Sequence, residues 1–175
     1  MDDHLEIERK FLVTGSGWRD GATRRVIRQG YIATSATTSV RVRQRDDQGF
    51  LTVKIDLSEL VRREFEYEIP VADTILLLRE SCQRPPIEKV RHDLRFRGML
   101  WEIDEFGGAN DGLIVAEVEL DAPDQEFARP DWLGPEVSSE PRFRNSRLAE
   151  RPFREWDISY AELLDSYGSR PRSVP

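Results

Sequence analysis

Glu6, Glu8 and Lys10 stand two residues apart in Leu5-Glu6-Ile7-Glu8-Arg9-Lys10-Phe11. Side chains in an extended strand alternate between faces, so these three share one side and Ile7, Arg9 and Phe11 the other. Taken alone, a line of two carboxylates and an ammonium is also what an ordinary half-buried strand shows to water. The spacing recurs, however, in Arg41-x-Arg43-x-Arg45, Thr52-x-Lys54, Arg62-x-Glu64-x-Glu66, Lys89-x-Arg91, Asp104 and Glu117-x-Glu119. With Arg144, the shared parity carries nine bases, namely Lys10, Arg41, Arg43, Arg45, Lys54, Arg62, Lys89, Arg91 and Arg144. It carries seven acids, namely Glu6, Glu8, Glu64, Glu66, Asp104, Glu117 and Glu119. Solvent-facing strands mix in Ser, Thr, Asn and Gln, whereas ions nearly monopolise this face and cluster by sign. Like charges side by side cost free energy unless a polyanion and a cation bind between them.

The elements that would carry these residues are eight alternating runs joined by hairpin-length connections. They lie near residues 5–11, 26–33, 39–45, 50–56, 61–69, 87–94, 99–106 and 113–120. Eight such runs suit an antiparallel sheet closed, or nearly closed, into a barrel, in a fold that is α+β but mainly β. In one arrangement apolar residues fill the barrel and the charges face water. In the other the sheet curls around its charges, and short helices near Asp73, Ala122 and Ser159 pack outside. The charge pattern favours the second. Sixteen buried charges would each cost several kcal/mol if unpaired, so the interior must be wet, cross-paired and open at one end or both. A helix capped by Asp73 is expected from Thr74 to about Cys82, another from Ala122 to about Phe127, a loop from Pro130 to Pro135, an extended piece around Phe143, and a helix from Ser159. Residues 1–155 are expected to form one domain, followed by a short C-terminal helix and disordered tail over 156–175.

Composition limits the classes of function. Charged residues make up 34% of 175, above the usual quarter, and the net charge of −7 argues against nucleic acid or an anionic membrane as partner. The single Cys82 makes no internal disulfide, and no apolar leader or membrane-length run is visible, so a cytoplasmic location is expected. Arg is the default cation, yet all three lysines fall on the charged parity, where a compact point charge differs from a planar fork.

Glu6-x-Glu8-x-Lys10 resembles the ExExK signature of the CYTH domain, the triphosphate tunnel metalloenzymes. The ordered set that follows it extends the resemblance over roughly residues 4 to 150. The stretches Gln29-Gly30-Tyr31, Trp132-Leu133-Gly134 and Arg142-Phe143-Arg144-Asn145 resemble the short bacterial members that hydrolyse inorganic tripolyphosphate. The resemblance implies an eight-stranded tunnel, Mg2+ or Mn2+, and a small phosphorylated substrate bound by a monomer or homodimer. On that reading Glu6, Glu8, Asp104, Glu117 and Glu119 hold metal, with Glu64 and Glu66 in support. Arg41, Arg43, Arg45, Arg62, Arg91 and Arg144 hold phosphates, Lys10 and Lys54 neutralise oxygens, and Lys89 acts at the leaving oxygen. Glu6 and Glu8 are also the expected catalytic carboxylates. Tyr31 either assists Lys89 or only packs. Rivals on the same scaffold are a class IV-type adenylate cyclase, a thiamine triphosphatase and a nucleoside triphosphatase. A rival of another class is a non-catalytic polyphosphate or nucleotide binder, which would have no need of so many carboxylates.

Overall fold

The structure, a computed structural model, describes residues 4–58 and 60–168. Its strands are β1 (Leu5–Val13), β2 (Thr23–Thr34), β3 (Thr38–Arg45), β4 (Gln48–Asp56), β5 (Val61–Ile69), β6 (Ile87–Phe96), β7 (Met99–Phe106), β8 (Ile114–Glu119) and β9 (Leu133–Glu136). Antiparallel neighbours run β5-β4-β3-β2-β6-β7-β8-β1, and β1 pairs back onto β5, so eight strands close into a barrel. Closure is brief: Leu5, Glu6 and Ile7 pair with Arg63, Arg62 and Val61. Further along, β1 exchanges this partner for β9, with Phe11 opposite Glu136 and Val13 opposite Leu133. The expected loop over 130–135 thus contains a strand, because the edge that β5 leaves open needs hydrogen-bond partners. The β6–β7 hairpin turns on Arg97 (φ 50°) and Gly98 (φ 87°), both left-handed, as a two-residue turn matched to strand twist requires.

Alternation decides which side chains meet. Outward-facing Ile7, Phe11 and Val13 of β1, Trp101 and Ile103 of β7, and Ala116 and Val118 of β8 form one core with Trp18 and Trp132, against which Phe127 packs. Residues 122–127 cover this face without becoming helical; between Pro123 and Pro130 the chain makes only a turn, Gln125 N–H donating to Ala122 O at 3.1 Å. Helix α1 (Val71–Glu80) covers the outer side of β3 and β4. It begins at Val71 after Pro70, so Asp73 lies in the first turn instead of capping it. Its contact depends on Gly49, since a Cβ there would fall on Thr74 Oγ1 and lie 2.9 Å from Ile69 O.

Apolar residues also reach the inward face, which the charge pattern did not anticipate. Leu12, Tyr31, Ile87, Phe106 and Val115 pack with Phe143, Leu148, Phe153, Leu163 and Tyr167. Helix α3 (Tyr160–Gly168) therefore fills one end of the barrel, α2 (Asn145–Glu150) runs from this cluster, through Leu148, to the open mouth, and the helix expected near Ser159 is not an outer cover. The piece around Phe143 is a 3-10 turn, Pro141–Phe143, instead of extended chain. The expected disordered tail lies, from residue 169 on, outside the described residues. Among the described residues no helix is long and apolar enough to cross a membrane.

Candidate functional site

The other end of the interior is charged and open. A cavity of about 270 Å³ is lined by Glu6, Glu8 and Lys10 of β1, Tyr31 of β2, Arg41 and Arg43 of β3, Lys54 and Asp56 of β4, Arg62, Glu64 and Glu66 of β5, Arg91, Glu102, Glu117 and Glu119 of β6 to β8, and Arg144. The β-bulge between Tyr31 and Ala33 brings Thr34, one strand position out of phase with Tyr31, to the same cavity.

Each base is matched by a neighbouring acid. Lys54 Nζ donates to Glu6 at 2.7 Å and lies 3.0 Å from Glu64. Arg41 reaches Glu64 and Glu66 at 3.3 Å each, and Arg43 donates to Glu66 at 2.7 Å. Thr52 Oγ1 adds a bond to Glu66 at 2.9 Å. Lys10 bridges Glu8 and Glu117. Arg91 grips Asp104 with two bonds of 2.7 Å and reaches Glu117 at 2.8 Å, while Lys89 holds Asp104 from the other side. Asp56 accepts from Arg62 at 3.2 Å and from Arg144 at 2.6 Å, tying the C-terminal segment to the barrel wall.

These pairings shift protonation in opposite senses at neighbouring carboxylates. Burial raises the Glu117 carboxyl, but Lys10 and Arg91 outweigh it and hold it well below the usual range. Against burial, Arg91 and Lys89 do the same for Asp104, and Lys54 and Arg41 for Glu64. Glu119 is different. Burial raises it, and its influential neighbours Glu6, Glu102, Glu64 and Glu8 are all acids that raise it further. Burial also raises Glu102, only partly offset by Arg91. Burial lifts the Tyr31 hydroxyl to about 12, so it is a neutral donor at physiological pH.

Most of the expected residues meet here, with three exceptions of placement. Asp104 and Lys89 sit behind the lining, Asp104 fully buried between its two cations. Arg45 is off the cavity, its guanidinium 4.6 Å from the Phe50 ring, because Phe50, Gln29 and Ile27 fill the barrel beyond Arg43. Sequence reasoning assigned no role to Glu102 or Asp56, although both continue rows it had read, two residues from Asp104 and Lys54. It read Thr34 to Thr38 as a hairpin loop and Asn145 as part of a family-like stretch, but gave neither these nor Ser146, Arg147 and Glu150 of α2 a place at the mouth, which they reach through tertiary packing.

Among the described residues no three carboxylates, histidines or cysteines are gathered closely enough to hold a metal ion. The reason is visible in the pairings, since Glu6 is turned onto Lys54 and Glu8 onto Lys10. The donor set nevertheless suits a hard divalent cation, because Glu119 is surrounded by Glu6, Glu8, Glu64 and Glu102, the last of them held by Arg91.

Comparison with known proteins agrees with this geometry. Residues 4–151 match the family described as CYTH domain. An inorganic triphosphatase of Acetivibrio thermocellus is 44% identical over 151 residues, spanning 86% of this chain and 97% of its own. An inorganic triphosphatase of Nitrosomonas europaea is 36% identical over 149 residues, spanning 82% and 96%. The crystal structure of an inorganic triphosphatase is similar with a TM-score of 0.61 at 35% identity, covering 82% of this chain and 93% of that one.

Proposed function

The chain belongs to the CYTH domain family, and from that premise we propose that it hydrolyses inorganic tripolyphosphate to pyrophosphate and phosphate with Mg2+ or Mn2+. The observation that carries the reading is one cavity lined both by arginines, Arg41, Arg43, Arg62 and Arg144, and by carboxylates, Glu6, Glu8, Glu102 and Glu119. A polyanion alone would be repelled by the second and a cation alone by the first. A metal–triphosphate complex satisfies both. Among the described residues Tyr31 is the single aromatic side chain of the lining, and it is packed into the apolar cluster, which leaves little ring face for stacking an adenine or a thiamine.

In this reading the arginine forks hold phosphate oxygens in register, and Lys10 and Lys54 turn from their carboxylates to the substrate. Glu6 and Glu8, released by that exchange, would hold the divalent cation together with Glu119, with Glu102 and Glu117 beside them. The cation would neutralise phosphate charge and acidify bound water. Carboxylates of β1 orient the attacking water toward the terminal phosphorus, the bridging P–O bond breaks, and Arg91, held from behind by Asp104 and Lys89, neutralises charge on the departing oxygen. No protein nucleophile is needed. The lone cysteine fits work in a reducing cytoplasm, by a monomer or homodimer.

The test is a substrate panel of tripolyphosphate, ATP and thiamine triphosphate with Mg2+ and with Mn2+, scoring phosphate, pyrophosphate and cyclic AMP. Metal-dependent release of phosphate and pyrophosphate from tripolyphosphate is expected. Cyclic AMP from ATP would assign the cyclase chemistry instead, and binding without turnover of any substrate would make the chain a binding module.

A further inference from the structure

Two segments outside the alternating charge pattern bound the mouth of the cavity. Hairpin 34–39 contributes Thr34, Thr37, Thr38 and Ser39, small hydroxyl side chains with no bulk to pack against a ring. Helix α2 contributes Asn145 and Arg147. The Arg147 guanidinium is held only by Glu150, one turn on, at 2.6 Å, and both side chains are well exposed, 52% and 39%. An exposed pair of this kind adds little and is readily exchanged for a better anion. Arg144, in the same segment, is already committed to Asp56 at 2.6 Å. Asn145 also lines the cavity, and the group it can offer a phosphate is its Nδ2–H, since its buried, unpartnered Oδ1 is an acceptor.

We propose that Arg147 and Asn145 bind the outer terminal phosphate of an unesterified chain and thereby select inorganic tripolyphosphate over triphosphate esters. The inference rests on the reading of the cavity as a triphosphate site. The physical basis is the difference between the two ends of the substrate classes. Tripolyphosphate ends in a phosphate with a full complement of anionic oxygens, to which a guanidinium donates two bonds. In an ester that phosphate has lost one anionic oxygen to a carbon substituent, which must then sit among hydroxyls that give it no apolar surface. Arg147 therefore gains more from the free chain than from the ester.

The experiment compares kcat/KM for tripolyphosphate and ATP with the same metal in wild type, Arg147→Gln and Asn145→Ala. ATP is measured as a competitive inhibitor if its turnover is too slow. Loss of a charged hydrogen bond should lower kcat/KM for tripolyphosphate about tenfold or more in Arg147→Gln, through KM, with a change under about twofold for ATP. Asn145→Ala should show the same selectivity to a smaller degree. Glu150→Gln, which frees Arg147 without removing it, should keep or raise activity on tripolyphosphate, and this holds the test open should Arg147→Gln fold poorly. An equal fall on both substrates, or none on either, overturns the proposal. Wild type inactive on tripolyphosphate would instead overturn the underlying reading of the site.

Discussion

Lys89 is 3% exposed and shares Asp104 with Arg91. Burial drives its pKa down to about 8; Asp104 opposes that shift and Arg91 adds to it. The sign matters for a group whose charge holds Asp104, and through it Arg91, against the cavity. With the folded pKa lowered, Lys89 is protonated below about pH 8 and loses its proton as pH rises through that value. Activity on tripolyphosphate, followed as kcat/KM, is therefore expected to fall on the alkaline side of pH 8. Lys89→Arg should lose that limb together with most of the rate, because a planar fork does not replace a point charge. A wild-type profile flat well above that pH would exclude Lys89 from the chemistry. Glu119 titrates in the opposite sense to its paired neighbours. Its carboxyl is raised, so metal binding should weaken earlier on acidification than an ordinary glutamate would give, and Glu119→Gln should remove that early loss in a metal titration followed by calorimetry.

At the scale of elements, the charged row of each strand was legible and the pieces that close the barrel were not. Alternation in Arg41-x-Arg43 and Glu117-x-Glu119 survives any packing partner, because it follows from the backbone itself. Strand β9 and helix α2 have no such period; Leu133-Gly134-Pro135-Glu136 is a strand only because β1 has an open edge beside it. Helix α3 shows how local these closures are. The Tyr160 hydroxyl accepts from the Val13 N–H at 2.8 Å and donates to Ile114 O at 2.7 Å, fastening the helix across β1 and β8. Tyr160→Phe leaves both backbone groups unpaired and should cost on the order of 1–3 kcal/mol in a denaturant titration. Activity per folded molecule should be retained, since no cavity side chain moves.

Across the whole molecule, the bases and acids of the cavity neutralise each other in the absence of ligand. Tripolyphosphate must draw Lys10 and Lys54 away from Glu8 and Glu6, and a divalent cation needs those same carboxylates. Each ligand therefore completes half of an exchange that the other finishes. Binding should be reciprocal: Mg2+ or Mn2+ tightens tripolyphosphate, and tripolyphosphate tightens the metal by the same factor. In thermal unfolding both together should raise the midpoint by more than the sum of the separate shifts, at concentrations held fixed. Simple additivity would mean that the carboxylates and cations do not exchange partners.

Strand spacing, the sign of each row and the ExExK signature were determined by the sequence alone, because a period of two is a property of a single strand and needs no neighbour. The same reasoning identified the face that turns inward, since rows of like charge side by side are tolerated when a polyanion and a cation bind between them. Only the tertiary structure decided that one end of the barrel is filled by Leu12, Phe106, Val115 and the C-terminal helices, leaving a cup of charge at the other. It also decided that Asp104 and Lys89 stand behind the lining, that Arg45 is cut off by Phe50, and that Arg147 reaches the mouth. Those placements depend on where separate segments stop against one another, and packing between distant parts of a chain leaves no period for a sequence to show.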